Sequence, residues 1–154
     1  MTTHRLTLEA RELPPDEPGA PPRRFQAFVI DERPLLDWLG PRSKIGVSAL
    51  ADWPGGDCDS AADALAGDRP GQEAEGRTLI EGCALCFDIG CGGITVQVER
   101  DGDQVIWKAF RFENGYDDEA TDAASFESVG PFRFDYKEIT ATLHAAAREC
   151  RGRK

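Results

Sequence analysis

The sequence contains little histidine and shows no arrangement of side chains that would mark a catalytic centre. Only two histidines occur in 154 residues, and neither lies beside a serine or a cysteine in a pattern typical of an activated nucleophile. The carboxylates fall in loop-like segments and do not form pairs at the ends of predicted strands. We therefore predict that the protein is not an enzyme and that it has no catalytic residues.

Long apolar runs are also missing. No stretch approaches the ~18 consecutive apolar residues of a membrane span, and residues 1–5 lack the apolar run of a secretory signal. These absences predict a cytoplasmic protein that does not bind membranes. The five cysteines, an odd number without such a signal, favour reduced thiols or metal ligation over a disulfide framework.

Basic residues are outnumbered by acidic ones, 18 against 28, which gives a formal net charge of -10. This balance disfavours binding to nucleic acid or to an anionic membrane, and it suits a protein partner with a basic surface. A chain of 154 residues has about the length of one ordinary domain. We therefore expect a single domain spanning residues 1–154.

The N-terminal part predicts two strands joined by a loop. Residues 5–10 and 25–30 show the alternation and the β-type residues of strands. Between them, the Pro-rich segment 13–23 is predicted to be an exposed, flexible loop, because proline blocks regular hydrogen bonding. A short helix should follow Pro34 and end at Gly40.

The middle of the chain predicts little regular structure. Residues 51–77 carry many Gly, Asp, Ala and Pro residues, with room for one short helix at residues 60–66. We expect this part to be rich in loops.

The second half of the chain predicts a hairpin and a helix. Residues 94–99 alternate, Asp101-Gly102 supplies a tight turn, and residues 105–112 return as a strand. Near the end, Asp135 precedes apolar residues at helical spacing, with a glutamate three positions later that completes a capping box. The predicted fold class is α+β, a mostly antiparallel sheet of about five strands with an amphipathic C-terminal helix packed on one face.

A glycine-rich stretch imitates an enzyme motif. Residues 88–92, Asp-Ile-Gly-Cys-Gly, are similar to the first motif of methyltransferases that use S-adenosylmethionine. In that family a helix begins directly after the glycines, so that the backbone can approach the cofactor. Here residues 93–99 alternate and are β-branched, which predicts a strand. The glycines therefore favour a turn over a nucleotide loop, although the methyltransferase hypothesis stays open.

Three cysteines within nine residues form what we call the cysteine cluster: Cys83, Cys86 and Cys91. The two-residue gap between the first two lets one turn present both thiolates to a zinc ion, and the third follows across the next turn. The fourth ligand would be water or one of four side chains: Cys58, Cys150, His144 or Asp88. The alternative is that the cysteines are small buried apolar side chains. The sequence thus allows either no cofactor or zinc.

The segment between Arg111 and Arg133 contains no basic residue. Its acidic and aromatic side chains could bind a basic protein surface. We call these candidates the acidic segment: Glu113, Tyr116, Asp117, Asp118, Glu119 and Asp122. The alternative is a solvated loop without a partner.

Three motifs in the C-terminal half occur in a recognisable order. They are a Cys-x-x-Cys-x-Asp-x-Gly-Cys-Gly turn from residue 83, a Val-x-Trp-x-x-Phe strand from residue 105 and a Gly-Pro-Phe-x-Phe-Asp segment that leads into the last helix. Together they resemble a group of small uncharacterised bacterial proteins. The resemblance implies an α+β fold and carries no established activity.

These observations leave three functional hypotheses. We prefer a noncatalytic, acidic protein-binding factor of the immunity or antitoxin kind, because the chain is small, strongly acidic and without a catalytic set. The alternative is a small zinc-binding module built on the cysteine cluster. The third is an S-adenosylmethionine-dependent methyltransferase.

Overall fold

The computed structural model describes residues 3–13, 18–19, 23–40, 47–51, 57–82, 92–113, 126 and 128–151. Within these residues the chain forms two antiparallel sheets and three α-helices. The α+β class predicted from the sequence is therefore confirmed.

The smaller sheet contains three strands in sequential order. They are β1 (Leu6–Leu13), β2 (Arg23–Ile30) and the two-residue β3 (Arg33–Pro34), and helix α1 (Leu35–Leu39) follows at once. The predicted strands and short helix are confirmed. Most of the Pro-rich connection between β1 and β2 lies outside the described residues.

The larger sheet contains five strands, also in sequential order. They are β4 (Val47–Ser48), β5 (Thr78–Gly82), β6 (Gly93–Asp101), β7 (Gln104–Glu113) and β8 (Phe132–Asp135). β6 and β7 form the predicted hairpin, and Gly102 has a φ of +59° in its turn. The short strands β3, β4 and β8 were not predicted from the sequence.

The two sheets approach each other at both ends and so enclose one main core. At one end, the Gln26 N–H donates to the Leu50 carbonyl over 2.8 Å, and the Ser48 hydroxyl donates to the Gln26 carbonyl over 2.6 Å. At the other end, the His4 N–H donates to the Arg133 carbonyl of β8 over 2.6 Å. These bonds satisfy backbone groups that would otherwise be exposed at sheet edges.

Two helices cover this core: α2 (Cys58–Leu65) and α3 (Tyr136–Arg151). The carboxylate of Asp135 accepts from the Glu138 N–H over 3.1 Å, which confirms the predicted cap. The helical spacing predicts an apolar stripe that begins at Tyr136, and this residue is partly buried against the core. The rest of the stripe is buried: Ile139, Leu143, Ala146, Ala147 and Cys150. Among the described helices, none is long and apolar enough to span a membrane.

Trp107 on β7 connects the sheet to α2. It is fully buried, and its indole N–H donates to the Leu65 carbonyl at the end of α2 over 2.8 Å. The Phe28 and Phe134 rings meet the indole edge to face, with centroids 5.7 and 4.9 Å away. The tryptophan therefore fixes α2 against both sheets.

A disulfide joins Cys58 at the start of α2 to Cys150 near the end of α3, with 6.6 Å between the Cα atoms. Both residues are buried. The expectation of reduced thiols therefore does not hold for this pair. The helical spacing of the last helix predicts Cys150 on its apolar face. The bond also depends on α2 packing beside α3, which no local pattern shows.

A β-bulge interrupts the alternation of β7. Thr95 pairs with Arg111 and Gln97 pairs with Lys108, so two residues of β7, Ala109 and Phe110, oppose one residue of β6. Strict alternation along a strand of residues 105–112 predicts Ala109 on the same face as Trp107 and Phe110 on the other face. Instead Ala109 is exposed and Phe110 is buried against the core, because the extra residue reverses the faces beyond it.

Candidate functional site

The cysteine cluster lies outside the described residues, so the structure neither places nor tests this proposed zinc site. It does change the choice of a fourth ligand. Cys58 and Cys150 bind each other, and the His144 ring nitrogen Nε2 lies 3.2 Å from an Asp63 carboxylate oxygen. The sequence-based candidates for the fourth position are therefore committed elsewhere, apart from Asp88 and water.

Of the acidic segment, only Glu113 lies within the described residues. Its carboxylate accepts from the Thr95 hydroxyl over 2.7 Å and lies 3.1 Å from the Arg111 guanidinium. It therefore takes part in an internal network at the end of β7. The other five residues of the segment are not described.

The network around Glu113 is centred on Arg77, which sequence reasoning missed. Arg77 is only 4% exposed, although it carries a guanidinium. Its Nε donates to the Thr95 hydroxyl over 2.8 Å, and its Nη2 donates to the Thr95 carbonyl over 3.1 Å and to the Ala109 carbonyl. Arg77 thus crosses β6 and holds the carbonyl of the bulge on β7.

Two like charges meet in this network. Burial lowers the pKa of Arg77, and the neighbouring Arg111 guanidinium acts in the same direction, while Glu113 and Glu75 oppose it.

Ala109 has a φ of +53°, a conformation that costs an L residue about 1 kcal/mol. Backbone strain of this kind tends to occur at functional sites.

A cavity of about 310 Å³ opens beside the bulge, and we call it the bulge cavity. It lies between residues 108–111 of β7 on one side and Phe126 and residues 129–131, which lead into β8, on the other. It exists because β8 pairs with β7 only from Gln104 to Trp107. Its lining combines three cations with apolar side chains: Arg77, Lys108, Arg111, Phe110, Phe126 and Val129.

A buried acid forms a second unusual group. Glu81 on β5 is 3% exposed, and burial raises the pKa of its carboxyl to about 8, although the positive charge of Arg11 opposes this. Glu81 is therefore protonated at neutral pH. It pairs with Ser48 and Ile94 across the sheet, two residues before the cysteine cluster.

Asp63, Asp68 and His144 are grouped where α2 approaches α3, with their ligand atoms within 4.8 Å of one another. Their contacts account for the grouping without a metal. Asp68 accepts from the Tyr136 hydroxyl over 2.8 Å and from the Arg100 guanidinium over 3.3 Å. The Arg100 guanidinium also lies 3.6 Å from the centroid of the Tyr136 ring, and its charge opposes a cation there.

Searches against protein-family models, curated proteins and solved structures find no match to this chain.

Two sequence signals could have identified the polar residues that were missed. Glu81 is a single acid that follows Leu79 and Ile80 in an apolar strand, which is a pattern expected for a buried carboxyl. Arg77 precedes the same strand and had no recognisable signal, because its partners lie 18 and 32 residues away.

Proposed function

We propose that this protein is a noncatalytic, acidic binding factor that recognises a basic surface on a partner protein, in the manner of an immunity or antitoxin protein. The observation that carries the proposal is the net charge of -10 in a chain of 154 residues. Acidic charge of this size raises the rate of encounter with a basic protein and disfavours anionic partners such as nucleic acid.

The described ion pairs support this proposal. Lys108 pairs with Glu99, Arg100 with Asp68, and Arg111 with Glu113. These basic side chains are thus neutralised by neighbouring carboxylates, and the carboxylates in excess remain available to contact a partner.

Exposed carboxylates carry part of that surplus. Glu32, Asp103 and Glu138 are exposed and form no ion pair with another residue of the described ranges. The acidic segment adds five more candidates for contact with a partner: Tyr116, Asp117, Asp118, Glu119 and Asp122.

The test is affinity capture with the tagged protein, followed by native mass measurement of the complex. We expect one stoichiometric basic partner whose dissociation constant rises by at least tenfold between low and physiological salt. The absence of a stoichiometric partner would contradict the proposal.

Two matched triple variants locate the contact. In the first, Asp117→Asn, Asp118→Asn and Glu119→Gln remove three charges from the acidic segment. In the second, Glu32→Gln, Asp103→Asn and Glu138→Gln remove three exposed charges elsewhere. We expect the first variant to weaken binding much more than the second, and equal effects would show that the acidic segment is not the contact.

The proposal assigns the protein to the cytoplasm, where thiols are kept reduced. The Cys58–Cys150 disulfide makes this assignment testable. Rapid alkylation of thiols in intact cells, followed by mass analysis, should find both cysteines alkylated if the protein is cytoplasmic. A pair that remains oxidised in cells would point to an oxidising compartment.

A further inference from the structure

We propose that the bulge cavity binds a small organic acid, a monoanionic carboxylate attached to an apolar ring or chain. The cavity joins a cationic side to an apolar side, and its volume of about 310 Å³ lies at the lower end of the range of small-ligand sites. This site does not depend on the protein-binding role proposed above.

The carboxylate would be recognised by Arg111. Its Nη2 already lies 3.1 Å from Glu113 and 3.7 Å from Glu75, whereas its Nε is buried and has no hydrogen-bond partner among the described residues. A buried donor without a partner is uncommon and calls for an acceptor. Arg111 lines the cavity and its side chain is 25% exposed, so a ligand carboxylate in the cavity can reach the guanidinium and form a charge-assisted bond with it.

Arg77 and Lys108 complete the cationic side. Arg77 is held in place by its bonds to Thr95 and to the Ala109 carbonyl, so its positive charge is fixed beside the cavity without a carboxylate in ion-pair contact among the described residues. Lys108 also lines the cavity, and Glu99 holds it. The charges are preorganised, which reduces the entropy lost on binding.

The apolar body of the ligand would lie against Phe110, Phe126 and Val129. Each of these side chains lines the cavity and is buried. Such a surface favours an aromatic or aliphatic group, and it has no hydrogen-bonding or charged groups to bind a sugar or a polyamine. The ligand should therefore carry its carboxylate and its aromatic or aliphatic group in one molecule.

The charge count favours a monoanion over a dianion. Three cations beside the cavity are balanced by three neighbouring carboxylates: Arg77, Lys108, Arg111, Glu75, Glu99 and Glu113. A bound carboxylate leaves the site with one net negative charge, and a phosphate monoester leaves about two, within a protein that is already strongly acidic. A carboxylate is accordingly the better ligand.

Three probes of similar shape test the proposal: benzoate, phenyl phosphate and benzamide. Binding is followed by NMR amide shifts of the labelled protein. We expect benzoate to bind with a dissociation constant of about 1 mM, as suits a ligand of ~9 heavy atoms, with shifts at residues 108–111, Phe126 and residues 129–131. Benzamide, which lacks the charge, should bind at least about tenfold more weakly, and phenyl phosphate should bind more weakly than benzoate.

Variants then test the contacts. Arg111→Gln removes the charge and the Nε donor, and Val129→Phe fills the apolar side without changing charge. Each should weaken benzoate binding at least fivefold. The matched control is Arg133→Gln on β8, which makes the same charge change at a residue that does not line the cavity and should leave binding within a factor of two.

Several results would overturn the proposal. They are no benzoate shifts at these residues, equal binding of benzamide and benzoate, or equal weakening by Arg111→Gln and Arg133→Gln. Tighter binding of phenyl phosphate than of benzoate would refute the assignment to a carboxylate. Because Arg111→Gln and Val129→Phe perturb opposite sides of the cavity, a folding defect in one still leaves the other as a test.

Discussion

Replacing Glu81 by glutamine should change how the stability of this protein depends on pH. Glu81 is buried, and its carboxyl has a pKa of about 8 in the fold, against an ordinary value of 4.5. Between these two values the folded protein keeps a proton that the unfolded chain has released. The free energy of unfolding contributed by this group is therefore fully present below pH 4.5 and is lost as the pH rises towards 8.

The size of the effect follows from the shift. One pKa unit corresponds to about 1.4 kcal/mol, so the wild-type protein should lose about 2.5 kcal/mol of stability between pH 5 and pH 7 through this group, and up to about 5 kcal/mol over the whole window. Glutamine has nearly the same shape and keeps a donor and an acceptor, but it does not titrate. The Glu81→Gln variant should lack this loss.

Other titrating groups do not obscure the comparison. Asp31 and Asp57 have pKa values below the ordinary one, since hydrogen bonds from His4 and the Arg5 N–H outweigh burial at Asp31, and hydrogen bonds from Ser60 act on Asp57. Their contributions are present above the ordinary pKa of 3.8 and are lost only as the pH falls below it.

The assay is urea unfolding of the wild type, Glu81→Gln and the exposed control Glu138→Gln at pH 5, 6, 7 and 8. We expect the stability of Glu81→Gln relative to wild type to rise by about 2.5 kcal/mol in total between pH 5 and pH 7, with no such trend for the control. A difference that stays constant to within about 0.5 kcal/mol would show that Glu81 has an ordinary pKa in the fold and would refute the reasoning.

Three further predictions concern the disulfide, the bulge and the cysteine cluster. Reduction, or the Cys58→Ser variant, should lower the free energy of unfolding by about 4 kcal/mol, because the bond closes a loop with a sequence separation of 92 residues; unchanged urea midpoints with and without reductant would contradict this. Ala109→Gly should stabilise the protein by up to about 1 kcal/mol, since glycine accepts the φ of +53° without steric cost, and a loss of stability in urea unfolding would count against a strained bulge. If the cysteine cluster binds zinc, protein purified without chelators should contain close to one equivalent by elemental analysis, and less than a tenth of an equivalent would reject the zinc hypothesis.

Much of the fold could be predicted because its signals are local. The hairpin of β6 and β7 follows from alternation and an Asp-Gly turn, and α3 follows from helical spacing and the Asp135 cap. Strands β4 and β8 lacked such signals. β4 has only two residues, and the four residues of β8 read as the approach to α3, so tertiary pairing alone defines them.

The candidate site was much less predictable. The sequence predicted candidate sites at the cysteine cluster and the acidic segment. Of these residues the structure describes only Glu113. The sequence predicted that Glu113 would contact a partner. In the structure, Glu113 instead accepts a hydrogen bond from Thr95 and forms an ion pair with Arg111. A carboxylate within a run of acidic residues is predicted from sequence to be solvated. Only the position of the neighbouring strand β6 shows that this carboxylate has a hydrogen-bond partner within the fold.

By itself, the sequence determined the α+β class, the hairpin, the last helix and the acidic character, because these depend on the order of residues over a few turns or on composition. Only the tertiary structure decided that Arg77 would hold the carbonyl of Ala109 across 32 positions, that Cys58 would meet Cys150, and that Glu81 would be buried and neutral. Each of these results arises from elements distant in the chain that pack together, and burial then changes the charge or partner of a side chain in ways that no local pattern records.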